Sequence, residues 1–259
     1  LQDLLDNNRR WAANMEARRP GFFQSLLNQQ APRYMWIGCA DSRVPANDLV
    51  DLAPGELFVH RNVANVVVHS DLNCLSAIQF AIDGLKVDHI IVVGHSNCGG
   101  VTAALHNRRT GLADNWIRHV QDVCNRHRPW LDSLPPHRRI NALCELNVVE
   151  QALNVCHSTV VQDAWARGQS LTVHGWVYGL ANGQLEDLKM TASGNDDLGE
   201  RYQARMRANL RKNWFKLDSH TIGISSQKHS KRGHDQPDQP LGNRPHCFCP
   251  ARQGCYSTN

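Results

Sequence analysis

The sequence predicts an α/β fold: a mostly parallel central sheet with an antiparallel edge strand, flanked by helices. Three observations lead there. Two short apolar runs, at 34–38 and 89–94, read as buried strands, and each passes directly into a helix start. Strand-like and helix-like segments alternate along the chain, the pattern of βαβ units. Near the end, Asn182-Gly183 separates two strand-like runs and reads as a hairpin turn, which makes the last strand antiparallel.

The elements follow in order. Residues 1–19 read as a helix, with Leu4, Leu5, Trp11 and Met15 apolar among polar neighbours and Pro20-Gly21 ending it. Its apolar stripe is thin, so it packs either on its own subunit or on a partner. A second short helix covers 22–30. The first strand, 34–38, delivers Cys39, and Pro45 marks the helix start after it. A Pro54-Gly55 turn precedes a strand at 57–60. Residues 71–85 read as one helix, with Leu75, Ile78, Ile82 and Leu85 at helical spacing. The third strand, 89–94, delivers His95, and Gly99-Gly100 open a helix over 101–105. Helices follow at 114–127 and 138–167, the second broken near His157-Ser158. A strand at 171–180 and its return at 184–190 make the edge hairpin, and a helix over 197–214 closes the domain. From about Ser225 the chain turns polar, with four prolines, and is expected to be a disordered tail. The expectation is one domain, 1–224, followed by a tail, 225–259.

Composition removes several function classes. The net charge is +4, and residues 226–259 carry +3 of it, from five Lys/Arg against two Asp. The rest is nearly neutral, so neither nucleic acid nor an acidic membrane is called for. No apolar run approaches the ~20 residues of a membrane span. The polar first residues show no secretory signal pattern. Nine cysteines in a chain this long do not make a disulfide scaffold. Cys74, Cys124, Cys144 and Cys156 sit in helix-like segments as reduced residues, and a cytoplasmic location is expected.

The chemistry concentrates just past the carboxyl ends of two strands, where open α/β sheets place their ligands. Cys39 and Asp41 are two residues apart; His95 and Cys98 are three apart. Two thiols, an imidazole and a carboxylate make a tetrahedral zinc set, either closed by Asp41 or open to water. The alternative is a pair of buried cysteines beside a hydrogen-bonded histidine. Two thiolates cancel the +2 charge of zinc and weaken it as an acid. Arg43 is the nearby cation that compensates, in a dry pocket that strengthens every charge.

The run Cys39-Ala40-Asp41-Ser42-Arg43, followed by His95-Ser96-Asn97-Cys98-Gly99-Gly100, resembles the β-class carbonic anhydrases. So do the stretch from Gly55-Glu56-Leu57 to Val63-Ala64-Asn65, the run Asp71-Leu72-Asn73-Cys74-Leu75-Ser76, and Cys144-Glu145-Leu146-Asn147-Val148. The resemblance spans about residues 4–213 and is greatest to the bacterial, bicarbonate-regulated (type II) branch. It implies zinc-dependent, reversible hydration of carbon dioxide to bicarbonate and a proton by zinc-bound hydroxide. One zinc per subunit would be held by Cys39, His95 and Cys98, with Asp41 joining in a closed state. Asp41 would orient the reacting hydroxide and Arg43 would hold Asp41 off the metal. Val44, Phe80 and Gly99 would line the substrate pocket. A homodimer, or a homotetramer built as a dimer of dimers, is implied. Trp36, Arg61 and Tyr178 offer an indole N–H, a guanidinium and a phenol to a small planar anion, and the same types stand there in the bicarbonate-regulated relatives. Three departures stand out: Phe80 where relatives often carry Tyr, Asn47 where they carry an acid, and a tail with no counterpart.

Two rival readings remain at this level: another zinc hydrolase, which would need an oxyanion site and an acidic base, and a zinc-stabilised binding protein without turnover, with Asp41 permanently on the metal. In the tail, His246, Cys247, Cys249 and Cys255 match no common zinc module.

Overall fold

The strands β1 (Tyr34–Cys39), β2 (Leu57–Asn62), β3 (His89–His95), β4 (Thr172–Gly179) and β5 (Gln184–Ala192) form one sheet in the order β2-β1-β3-β4-β5. The first three junctions are parallel and β4–β5 is antiparallel, as the sequence predicts. This computed structural model describes residues 1–27, 30–196 and 198–218, with side chains through 208. The expected tail, including its histidines and cysteines, lies outside them.

The helices are α1 (Gln2–Arg18), α2 (Phe22–Leu26), α3 (Ala46–Leu49), α4 (Leu72–Gln79), α5 (Gly99–Leu105), α6 (Ala113–Arg126), α7 (Arg128–Ser133), α8 (Pro136–His157), α9 (Thr159–Ala166) and α10 (Leu198–Asp218). α8 is the central one. It is buried over most of its middle, and Val148, Val149, Ala152 and Val155 pack on Ile37, Ile90, Val92 and Val173 of the sheet. Two glycines let it lie close. A Cβ on Gly94 would stand 2.5 Å from Val148 Cγ2, and one on Gly175 3.2 Å from Val148 Cγ1. The opposite face, with Trp36, Ile91 and Val93, packs against Val44, Ala46 and the residues after α3.

Two stretches differ from expectation. Residues 71–85 do not form a single helix: α4 stops at Gln79 and a wider π-turn, Phe80–Gly84, follows, closed by Leu85 N–H donating to Phe80 O at 3.0 Å. Helical spacing of apolar residues continues through such a turn, so periodicity could not show it. α7 fills the stretch between the helices expected at 114–127 and 138–167, with Pro129 in its first turn, where the fixed φ of proline suits a helix start. The helix expected over 1–19 is present as α1; within one subunit it has no buried residue, and Leu4, Leu5 and Trp11 stay exposed. The break at Ser158 is where the sequence puts it: the residue is extended and its hydroxyl caps α9 by accepting from Val161 N–H.

Candidate metal centre

The carboxyl ends of β1 and β3 lie side by side because the strands pair in parallel from Tyr34↔His89 to Gly38↔Val93. β1 ends on Cys39 and β3 on His95; Cys98 then stands at the N-terminus of α5. The ligating atoms of Cys39, His95 and Cys98 all lie within 4.8 Å of one another, and all three residues are buried. The two sulfurs are 3.8 Å apart. The contact with Cys98 outweighs burial and holds the Cys39 pKa below that of an ordinary thiol.

His95 is oriented for one ligand bond. Its Nδ1 lies 3.0 Å from Ser96 O, a contact that puts the Nδ1 proton on that carbonyl and leaves Nε2 bare. Nε2 is buried and has no hydrogen-bond partner. A bare imidazole nitrogen sealed in with two thiols costs free energy as it stands. A borderline-soft cation satisfies all three at once, so the residues fit a zinc ion.

Asp41 stands beside this group. Its Oδ2 is 3.7 Å from His95 Nε2, but both carboxylate oxygens are taken by Arg43, through Nε at 2.9 Å and Nη2 at 2.7 Å. Arg43 backbone N–H adds a third bond at 3.0 Å. These hydrogen bonds hold the Asp41 carboxyl far below the usual carboxylate range. Val44 is buried with Trp36 and Tyr178 in one cluster. Gly99 is exposed beside Cys98, with no atom within 4 Å of where its Cβ would be. Phe80 is elsewhere: 53 % exposed, its ring 5.9 Å from Phe58, packed toward a different cluster from that of Cys39 and Cys98. Arg61 spends its guanidinium on two backbone carbonyls, Cys39 O at 2.9 Å and Asp41 O. The Asn47 amide donates to Leu52 O and Ala53 O, both at 3.3 Å.

A family model described as carbonic anhydrase matches residues 34–185. A solved β-carbonic anhydrase from Coccomyxa, in complex with acetazolamide, superposes with a TM-score of 0.74 at 42 % identity, over 84 % of this chain and 97 % of that one. The chain belongs to the β-carbonic anhydrase family. Its relatives span kingdoms. The carbonic anhydrase of Emericella nidulans is 44 % identical over 192 residues, 74 % of this chain and 84 % of that protein. That of Pseudomonas aeruginosa is 31 % identical over 199 residues, 73 % of this chain and 87 % of that protein. A β-carbonic anhydrase from Sordaria macrospora, described as tetrameric, matches with a TM-score of 0.70 at 34 % identity, over 74 % of this chain and 98 % of that one.

Some features of this β-carbonic anhydrase escaped the sequence reading. The Ala64 N–H points at Cys39 Sγ, 3.4 Å away. A second close group, His60, Asp71 and Cys74, is also present. Burial pushes the Cys74 thiol up to about 12, and Asp71 is engaged as the N-cap of α4, so the group reads as a satisfied polar contact beneath β2. A signal for the first did exist: Asn147, Gln151 and Asn154 fall at i, i+4 and i+7 and so share one face of α8.

Proposed function

We propose that this chain interconverts carbon dioxide and bicarbonate with one zinc ion held by Cys39 Sγ, His95 Nε2 and Cys98 Sγ. The observation that carries the reading is the buried, unpartnered His95 Nε2 facing two thiols in a chain of this family. When bound, the ion supplies a Lewis acid that makes water nucleophilic near neutral pH. The protein's own groups do the rest. Ser96 O fixes the His95 tautomer. Asp41 accepts a hydrogen bond from the reacting water and orients it. Arg43 keeps Asp41 ionised and held to one side of the candidate ligands; without that hold, Asp41 would be free to join them as a fourth ligand and close the site. Val44 supplies an apolar wall for uncharged substrate, and Gly99 leaves the mouth open. Phe80, exposed within one subunit, joins the pocket only across a dimer interface. The unburied Leu4 and Leu5 of α1 support a dimer or tetramer. Among the described residues no helix is long and apolar enough to cross a membrane, and the reduced, buried cysteines suit a cytoplasmic setting.

Regulation by bicarbonate at Trp36, Arg61 and Tyr178, as in the type II branch, extends this reading. Arg61 holds the carbonyls of Cys39 and Asp41, so an anion drawing Arg61 away would loosen the segment that carries Asp41 and Arg43. Asn47 offers no charge to compete for Arg61. The test of the whole reading is stopped-flow carbon dioxide hydration with zinc quantified per chain. Stoichiometric zinc with hydration activity is expected; full zinc without hydration would overturn it.

A further inference from the structure

The segment Val63–Asn65 runs under the two sulfurs in a conformation that the chain does not adopt unaided. Ala64 and Asn65 both have left-handed backbones, φ 65° and 46°, with neither a glycine. Such residues cost about 1–2 kcal/mol each and persist only where surroundings hold them. The surroundings here are a ladder of amides on one face of α8. Asn147 Nδ2 donates to Ala64 O at 2.8 Å. Gln151 Nε2 donates to Asn147 Oδ1 at 3.1 Å, and its Oε1 accepts from Val67 N–H at 2.8 Å. Asn154 Nδ2 donates to Val67 O at 2.8 Å. On the other side Trp116 Nε1 donates to Val63 O at 2.8 Å. Asn147 is 0 % and Gln151 1 % exposed. Apolar side chains would pack there without any need for partners. What the ladder secures is the turn of backbone that directs Ala64 N–H onto Cys39 Sγ at 3.4 Å.

We propose that Asn147 is a positioning residue for the metal ligand Cys39, acting through Ala64, whose carbonyl it holds and whose own N–H meets the sulfur, with Gln151 orienting Asn147. The inference rests on the zinc reading of Cys39, His95 and Cys98. A backbone N–H on a thiolate draws charge from the sulfur and fixes its place, so the ligand donates less to the ion. That counters the weakening of the ion as an acid by two thiolates. Asn154 Nδ2 also donates to Gln151 Oε1 at 3.2 Å, so Asn154 is the far end of the same ladder.

The test replaces the metal by cobalt and reads the sulfur-to-cobalt charge-transfer band, together with zinc affinity by chelator competition. Asn147→Leu keeps the volume and removes the donor to Ala64 O. Its band should move to lower energy, because the sulfur becomes more electron-rich, and zinc affinity should fall by about 10-fold or more. Gln151→Met should shift the band the same way by less. Asn154→Ala, at the far end of the ladder, should shift the band least. Gln162→Ala on α9, which removes a bond to Cys156 O, should lower thermal stability and leave the band in place, which separates positioning from general support. A folded Asn147→Leu protein with the wild-type band and affinity overturns the proposal. If that variant does not fold, an unshifted band in Gln151→Met overturns it. Wild-type protein that takes up neither zinc nor cobalt overturns the metal reading itself, a result distinct from an unmoved band in a loaded variant.

Discussion

Arg43 closes on Asp41 from three directions, with Nε on Oδ1, Nη2 on Oδ2 and its own backbone N–H on Oδ1. The two residues are only two apart in sequence, so the pair forms within a single turn after β1. Bidentate, charge-assisted geometry of this kind is strong and directional. Arg43→Ala should fold, retain zinc and lose activity by about 100-fold or more, the scale of a misplaced catalytic group. Arg43→Lys, which keeps the charge but not the fork, should fall between. Wild-type turnover in the alanine variant would remove the pair from the mechanism.

Ligand loss gives a cleaner prediction. Cys98→Ser should lose most of its zinc and essentially all hydration activity. The wild type should melt at a higher temperature with zinc than after chelation, because a ligand bound only by the native state stabilises it by mass action. In the serine variant that difference should largely vanish. Full zinc occupancy measured by elemental analysis in Cys98→Ser would exclude the cysteine as a ligand.

Glu150 makes a prediction for stability against pH. Burial would raise its pKa, but hydrogen bonds from His127 and Tyr202 and the charge of Arg126 outweigh burial and hold it below the ordinary 4.5. The folded state thus favours the ionised form. Its contribution is fully present above the unfolded value and is lost as pH falls through the lower folded value. Glu150→Gln should cost about 3–5 kcal/mol near neutral pH, the range for breaking a buried ionic network. The gap between wild type and variant in urea unfolding should narrow as pH drops below about 4.5, with the unfolded reference taken from model glutamate. A gap that stays constant from pH 7 to pH 3 would contradict the assignment.

Two glycines beside candidate metal ligands should respond differently to alanine. A Cβ on Gly94 meets Val148 Cγ2 at 2.5 Å, so Gly94→Ala should destabilise by about 1–3 kcal/mol through overpacking. Gly99 has open space where its Cβ would go, so Gly99→Ala should stay within about 0.5 kcal/mol of wild type. Denaturant midpoints measure both, and equal losses would mean that α8 does not sit against β3 as described.

Bicarbonate inhibition should separate the regulatory reading from plain product inhibition. At fixed ionic strength, Trp36→Ala and Tyr178→Ala should each weaken inhibition of hydration by bicarbonate while zinc content stays unchanged. The same simple inhibition in all three proteins would dismiss a site at Trp36, Arg61 and Tyr178 and leave the catalytic proposal standing.

The sequence by itself determined what local chemistry can encode. Apolar runs ending at Cys39 and His95 marked β1 and β3, Asn182-Gly183 marked the β4–β5 hairpin, and Ser158 marked the break between α8 and α9. Asp41 and Arg43 were legible as a pair because their bond forms within two residues. The candidate ligands were legible because Cys39 and the pair His95, Cys98 each follow a strand end, and parallel pairing leaves strand ends adjacent. Tertiary structure decided whatever depends on partners distant in sequence. No local signal distinguishes a π-turn at Phe80 from continued helix, since both satisfy the same apolar spacing. Nothing near Ala64 announces its left-handed backbone, which is imposed by Asn147, 83 residues away. The same holds for Arg61, read from sequence as an anion donor: only the packed fold puts the Cys39 and Asp41 carbonyls within its reach. The bare Nε2 of His95, on which the metal reading turns, exists because folding buries one imidazole nitrogen and gives the other a carbonyl to hold.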